Sequence, residues 1–331
     1  MIATLRIIRG LSVAKDDHFV AQTYLRSFVD DEGNLTPYYK NGRVIVGKKK
    51  TPRQVCYKTD GDSNIYFDNM RILDEYLPHI ENPWAENVAK LEAGRVDADC
   101  KYEIGAYISF LRSCTPTAKR FGADMISANM QPLVNRTLAE HFHELGETTD
   151  EIQLAMKDAM DNREIRSVVD EEYVHAISIQ HLIHSAYRFY CSHWLVLLNE
   201  TGIPFVTSDN PAGLFYDEGN PQYATVFLPL SPTLGVLIKP DLTIARPMIE
   251  DVKRYSHSGD DYAHPKKSFV ATLNELTIRS AENTVLHSAI DEDLVSLVEA
   301  NRDWRVQNQS FELPYENGMF IINRQCACKN A

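Results

Sequence analysis

The first motif that could do chemistry is HFVAQTYLRSF, which begins at His18 and places Gln22 four residues later. Apolar residues recur around this pair at helical spacing, so the segment Asp16–Phe28 is predicted to form a helix. The two side chains would then project from the same side of that helix. An imidazole can act as acid, base or metal ligand, and a carboxamide can orient a water molecule. The alternative is a buried His–Gln pair satisfied by neighbouring backbone groups.

The second motif is the tetrapeptide Ser208-Asp209-Asn210-Pro211, which follows the apolar run FVT. The run is predicted to be a strand, and the carboxylate of Asp209 would leave its end, a place where ligand sites commonly lie. A structural role is the alternative, because Ser, Asp and Asn side chains bind loose backbone N–H groups in turns. The proline also pushes the preceding residue into an extended conformation.

A third pattern is Pro240-Asp241 followed by Asp251-x-Lys253, which matches the spacing of metal-dependent nucleases. Short acidic patterns of this kind often arise by chance, and the charged segment RPMIEDVKR is a poor strand. The paired histidines at 141 and 143 and at 181 and 184 are interpreted as core or surface residues. The chain contains no Gly-Lys-Ser/Thr phosphate loop, no dinucleotide-binding glycine motif and no Gly-x-Ser-x-Gly elbow.

Composition narrows the class of protein. The chain carries 46 acidic and 34 basic side chains, a net charge of −12, which disfavours binding to bulk duplex nucleic acid. Its six cysteines form no C-x-x-C pair and suit reduced thiols, with Cys326 and Cys328 expected in a frayed tail rather than on a metal. The first residues include Arg6 and Arg9, and no run of about 18 apolar residues follows. We therefore expect a cytoplasmic protein that does not span a membrane.

The elements that must position the motifs can be outlined from periodicity and turn residues. We expect a β-hairpin or meander over 35–58, mainly helices over 69–200, and short strands after Gly202. One long helix is predicted over 174–200, and further helices over 263–287 and 291–304. The predicted fold is a single α+β domain over 1–331, helix-rich with a small mixed or antiparallel sheet, with a helical lobe at about 70–200 as a variant.

Five segments occur in the order expected of one family. They are HFVAQTYLRSF, FLRSCTPTAKRF (110–121), FVTSDNP (205–211), LPLSPTLGVLI (228–238) and LNELTIRSAENTV (273–285). Over about residues 17–290 the chain resembles the bacterial domain-of-unknown-function family 4238. The resemblance implies no established activity, and the pattern at 240–253 is not part of the family signature. It singles out the following positions: His18, Gln22, Arg112, Ser208, Asp209, Asn210 and Pro211.

Two functions are carried forward from these residues. The first is a metal-assisted hydrolase of a phosphodiester or nucleotide, in which His18 and Asp209 hold a divalent metal or act as base. Gln22 and Asn210 would orient water, while Arg112 and Ser208 would bind an anionic small-molecule or nucleotide substrate. The second is a non-enzymatic binding, sensing or defence-associated interaction module, in which the same polar residues form a buried network. Solvent-open His18 and Asp209 within about 4–6 Å of each other would favour the enzyme.

Overall fold

The computed structural model describes residues 15–42, 45–145, 154–155, 158–159, 167–217, 220–240, 260–315 and 318–329. Asp241, Asp251 and Lys253 of the nuclease-like pattern lie outside the described residues.

The helices begin and end at residues that suit helix termini. Their bounds are α1 Gln22–Leu25, α2 Leu73–Glu81, α3 Trp84–Glu92, α4 Ala98–Cys114, α5 Pro116–Leu145, α6 Glu171–Tyr190, α7 Lys267–Ser280 and α8 Glu292–Ala300. Asp97 caps α4 by accepting a hydrogen bond from the backbone N–H of Cys100 at 2.7 Å. Asp170 and Asp291 cap α6 and α8 in the same way. None of the described helices is long and apolar enough to cross a membrane.

The strands are β1 Asp16–His18, β2 Thr36–Tyr39, β3 Tyr57–Thr59, β4 His193–Leu198, β5 Thr207–Ser208, β6 Gly213–Asp217, β7 Asn220–Ser231, β8 Leu234–Lys239, β9 Asp261–Ala263, β10 Thr284–His287, β11 Trp304–Tyr315 and β12 Gly318–Lys329. A five-stranded sheet has the order β6-β7-β8-β4-β9, and a three-stranded sheet has the order β2-β10-β5. In the first sheet only the β4–β9 pair is parallel. Helices beside several small, mainly antiparallel sheets make the fold α+β, as predicted.

One buried apolar cluster joins the helices to the five-stranded sheet. It contains Tyr24 and Phe28 from the first motif, Ile104 and Tyr107 from α4, and Trp194 from β4. Close packing of α4 on α6 requires a residue without a side chain at Gly105. A Cβ there would lie 3.1 Å from the Cβ of Phe189, tighter than ordinary contact.

Three predicted helices differ from the structure. The helix expected over 263–287 is limited to Lys267–Ser280, and Thr284–His287 forms strand β10 instead. The segment Asp16–Phe28 is not one helix but strand β1, the single turn α1 and a 3₁₀ turn at Arg26–Phe28. The reason is tertiary pairing, since β1 runs antiparallel to β3 with His18 opposite Tyr57. The predicted helix over 174–200 stops at Tyr190, and HWLVLL continues as strand β4 between β8 and β9. A fully apolar run of this length has no periodicity that separates a buried strand from a buried helix.

The chain after residue 300 also differs from expectation. Instead of a frayed tail it forms the long hairpin β11–β12, in which Trp304 pairs with Lys329. A disulfide joins Cys326 to Cys328 on β12, so these two cysteines are not reduced thiols in this structure. The predicted hairpin over 35–58 forms in part and irregularly among the described residues. Bridges join Leu35 to Lys50 and Tyr38 to Val46, and the backbone N–H groups of Tyr39 and Gly47 donate to the carbonyl oxygens of Ile45 and Pro37. The main partner of β2 is the distant strand β10.

Candidate functional site

His18 and Gln22 do lie together, although no continuous helix carries them. The Nε2 of Gln22 lies 3.4 Å from Nδ1 of His18, and Nε2 of His18 lies 3.2 Å from the carbonyl oxygen of Arg53. These contacts suit a neutral ring that donates from Nε2 and accepts at Nδ1. Burial lowers the pKa of His18 below its ordinary value, which also favours the neutral form. Both ring nitrogens therefore already have partners within the protein.

Asp209 is buried and clamps the connection between α7 and β10. Its carboxylate accepts hydrogen bonds from the backbone N–H groups of Glu282, Asn283 and Thr284 at 2.9, 2.8 and 2.9 Å. Its own backbone N–H donates to the carbonyl oxygen of Thr284 at 2.9 Å. Burial raises the pKa of Asp209 to about 6, although the three hydrogen bonds oppose that shift. The carboxylate thus accepts hydrogen bonds from backbone N–H groups that would otherwise lack a partner in the interior.

Ser208 and Asn210 belong to the same clamp. The Oγ of Ser208 accepts a hydrogen bond from the backbone N–H of Asn210 at 3.2 Å. The side-chain amide of Asn210 donates to the carbonyl oxygen of Ser280, the last residue of α7, at 2.8 Å. All three polar residues of the turn are buried. The side chains of the Ser-Asp-Asn-Pro turn therefore hold the C-terminal end of α7 in place through hydrogen bonds.

A buried lysine, Lys40, also binds the C-terminal end of α7. The Nζ of Lys40 donates to the carbonyl oxygens of Ile278 and Ala281 at 3.0 and 2.7 Å and also contacts that of Trp304. The carbonyls of Ile278 and Ala281 belong to the C-terminal end of α7, where a cation is favoured by the helix dipole, whereas Trp304 begins β11. Burial lowers the pKa of Lys40 to about 8, while the nearby Asp209 acts in the opposite direction.

Arg112, the expected anion-binding residue, lies beneath the C-terminal hairpin. It donates to the carbonyl oxygen of Ala212 at 3.2 Å and to the side-chain oxygen of Gln325 on β12. Burial lowers its pKa to about 10. The cavity between Asn210, Ala212 and Gln325 measures only about 10 Å³, which is space for roughly one water molecule. In this arrangement the hairpin occupies the space that a substrate would need.

The six predicted site residues therefore fall into separate clusters. Ser208, Asp209 and Asn210 share one network, His18 and Gln22 form another on β1 and α1, and Arg112 lies under the hairpin. No hydrogen bond or ion pair between described residues connects His18 to Asp209. No group of three or more His, Cys, Asp or Glu side chains that could hold a metal occurs in the part of the chain that the structure describes. Their catalytic and metal-binding roles stay predictions.

A cleft of about 330 Å³ opens beside the first motif and was not predicted. Thr23, Arg26 and Ser27 form one wall, on α1 and the 3₁₀ turn that follows it. The other wall comes from the end of α2 and from α3, and its residues are Glu81, Asn82, Trp84, Ala85, Val88, Ala89 and Glu92. The first motif thus presents polar side chains to a space large enough for a small molecule.

Glu81 gives this cleft an ionisable group with altered chemistry. Burial raises its pKa to about 7, and the more distant Lys15 only partly offsets the effect. Lys15 itself is paired with Asp74 at 2.9 Å. No hydrogen bond or ion pair joins the Glu81 carboxyl to another described residue. A carboxyl of this kind is half ionised near neutral pH and can bind a cation or exchange a proton.

Comparison with known proteins gives one match. The family model described as "Protein of unknown function (DUF4238)" matches residues 17–291, most of the chain. The chain belongs to this family. No curated protein and no solved structure matches it. The match to DUF4238 begins at β1 and ends before α8, so the hairpin over Arg112 lies outside the matched range.

Within this DUF4238 chain the cleft residues escaped sequence reasoning for a physical reason. Glu81 stands in the amphipathic segment LDEYLPHIEN, where one more acidic residue looks like a solvated helix face. Its burial follows from the packing of α2 against α4, which is a contact between distant segments. The usable signal was in the motif itself, since Arg26 and Ser27 interrupt its apolar pattern between Leu25 and Phe28.

Proposed function

We propose that this protein is a non-enzymatic module that binds a small molecule in the cleft between α1 and α2–α3. The observation that carries this proposal is the cleft between the first motif and α2–α3. Its volume of about 330 Å³ lies within the range of about 300–1,000 Å³ typical of ligand pockets. The polar residues of the Ser-Asp-Asn-Pro turn support it indirectly, because their hydrogen bonds hold the framework and leave little capacity for a substrate.

A hydrolase is the second candidate, and one observation favours it. A carboxyl whose pKa is about 7 is well suited to accept or donate a proton at neutral pH. In that candidate Glu81, beside the hydroxyls of Thr23 and Ser27, performs the proton transfer that was first assigned to His18 and Asp209. A phosphodiester or nucleotide substrate and a divalent metal belong to this candidate only.

The proposal includes the cellular location of the protein and the class of its ligand. We place it in the cytoplasm, acting on a small molecule rather than on a membrane or on bulk duplex nucleic acid. The net charge of −12 supports the last point, because it repels polyanions at long range.

The test fills the cleft without touching the framework. Ala89 is exposed and lines the cleft, so Ala89→Trp should block it, whereas Ala93→Trp places the same side chain just beyond α3. Both variants and the wild type are screened by thermal shift against a library of metabolites. The proposal expects a compound that stabilises the wild type and Ala93→Trp but not Ala89→Trp. A compound that stabilises all three equally would place the ligand elsewhere and contradict it.

A further inference from the structure

The cleft contains a basic and an acidic side chain that form no hydrogen bond or ion pair with another described residue. Arg26 is exposed, and no hydrogen bond or ion pair links its guanidinium to another described residue. Glu81 stands on the opposite wall and is likewise unpaired among the described residues, and the two do not form an ion pair with each other. The surrounding charges behave differently: Arg71 is paired with three carboxylates and Lys90 with two.

The floor of the cleft is apolar and has one unused donor. Ala85 and Val88 line it on α3 together with Trp84, whose side chain is buried. The indole N–H of Trp84 has no hydrogen-bond partner among the residues described.

A complementary ligand must match these features together. An ammonium would neutralise the carboxylate of Glu81, and Arg26 offers a planar fork of donors that suits a carboxylate. A short aliphatic body would cover the alanine and valine side chains. The volume of about 330 Å³ stands at the lower end of the usual range for ligand pockets. The ligand is therefore small.

We propose that the cleft binds a zwitterion of amino-acid or dipeptide size, with its ammonium on Glu81 and its carboxylate on Arg26. This inference rests on the proposed binding function and names its ligand class. The carboxylate end also supplies acceptors within reach of the hydroxyl-bearing wall formed by Thr23 and Ser27.

Binding of such a ligand is linked to pH through Glu81. The groups that face it are Lys15 before β1, Arg26 on the 3₁₀ turn, Glu92 on α3 and Tyr107 on α4. In the empty cleft the pKa of Glu81 is about 7, and a bound ammonium lowers it. Affinity is therefore highest above pH 7 and falls as the pH decreases below 7, by up to about tenfold per pH unit.

The experiment titrates the full chain with four matched probes. These are leucine, glycylleucine, leucinamide, which lacks the carboxylate, and N-acetylleucine, which lacks the ammonium. Binding is followed by calorimetry and by the fluorescence of Trp84, one of three tryptophans, with Trp84→Phe assigning the signal. We expect leucine or glycylleucine to bind at least tenfold more tightly than both blocked probes.

Charge-neutral variants then assign each end of the ligand. Glu81→Gln should weaken the zwitterion at least tenfold, abolish the pH dependence and leave N-acetylleucine unaffected. Arg26→Gln should weaken the zwitterion and leave leucinamide unaffected. Glu75→Gln on the exposed face of α2 and Arg53→Gln, also exposed, are the matched controls and should change neither.

Three outcomes overturn the inference in distinguishable ways. If the blocked probes bind as well as the zwitterions, or if Glu81→Gln and Arg26→Gln bind like the wild type, the ligand class is wrong. If none of the four probes binds, while a different library compound stabilises the wild type but not Ala89→Trp, the ligand class fails and the proposed function stands. If no compound distinguishes the wild type from Ala89→Trp, both fail.

Discussion

Asp209 Oδ2 accepts a hydrogen bond from the backbone N–H of Asn283 at 2.8 Å, across 74 positions of sequence. This contact fixes the end of β5 to the turn that connects α7 with β10. Since β10 lies between β2 and β5, the turn determines where the whole three-stranded sheet begins. The Ser-Asp-Asn-Pro motif thus has the structural role that its residue types indicated as the alternative to a ligand site.

Replacing this carboxylate should cost stability rather than binding. We expect Asp209→Ala to lower the free energy of unfolding by about 3 kcal/mol or more, because three backbone N–H groups lose their acceptor at about 1 kcal/mol or more each. Urea unfolding followed by circular dichroism measures the change. Asp31→Asn, at an exposed position of the first loop, is the control and should differ little from the wild type. Equal stability of Asp209→Ala and wild type would refute the clamp.

The lowered pKa of Lys40 predicts how the stability of the protein changes at alkaline pH. Its folded pKa of about 8 is below the ordinary value near 10.5, so the folded state binds fewer protons between these values. Stability of the wild type should therefore rise as pH increases from about 8 to about 10. Lys40→Met should remove this rise, and at pH 7 it should destabilise the protein by about 1–3 kcal/mol because the carbonyls after α7 lose their donor. Thermal melting across this pH range decides the matter.

Asp62 makes the opposite prediction on the acidic side. It is buried near Asp17, and burial with this neighbouring charge raises its pKa to about 7. The folded state then binds more protons than the unfolded state between about pH 4 and 7, so stability contributed by this group is lost as pH rises through that window. Asp62→Asn should stabilise the protein by about 1–3 kcal/mol at pH 8 and make little difference at pH 4. A variant that is less stable than wild type at pH 8 would contradict the assignment.

The hairpin β11–β12 should depend on Arg112. Besides the contact of this guanidinium with Gln325, Arg120 donates to the carbonyl oxygen of Val306 at 2.9 Å, and Arg324 stacks on the ring of Tyr216 at 4.0 Å. We expect Arg112→Gln to increase amide hydrogen exchange in the backbone of 324–328 while that of β4 stays protected. Arg136→Gln, at an exposed ion pair on α5, is the control. Unchanged exchange in the hairpin would show that Arg112 does not hold it.

How much the sequence predicts depends on whether an element is set by local or distant contacts. The helices α4 and α8 follow from periodicity and from their capping residues Asp97 and Asp291, and the α+β class follows from the change of pattern after Gly202. The helix at Asp16–Phe28 was wrong because β3 recruits Asp16–His18 into a strand, and nothing near His18 encodes that partner. His18 and Gln22 were nevertheless correctly expected to lie together, because a short turn and a helix place residues i and i+4 at similar distances.

The candidate site shows the same division. Polar motifs identified Ser208, Asp209 and Asn210 as a group, but whether such a group is open or sealed depends on what packs over it. The sealing comes from residues 280–284, more than 70 positions later in the chain. The cleft at Glu81 depends in turn on how α2 and α3 pack on the first motif. Burial of this kind arises from tertiary structure and leaves little trace in residue types.

The most direct measurement compares Ala89→Trp and Asp209→Asn with the wild type in one thermal-shift experiment, with and without a cleft ligand. If the cleft binds the ligand and the Ser-Asp-Asn-Pro turn is framework, Ala89→Trp melts near the wild type and loses the ligand response. Asp209→Asn then melts at a lower temperature and keeps the response. The reverse pattern, in which Asp209→Asn melts like the wild type but no longer responds while Ala89→Trp still responds, would contradict both assignments.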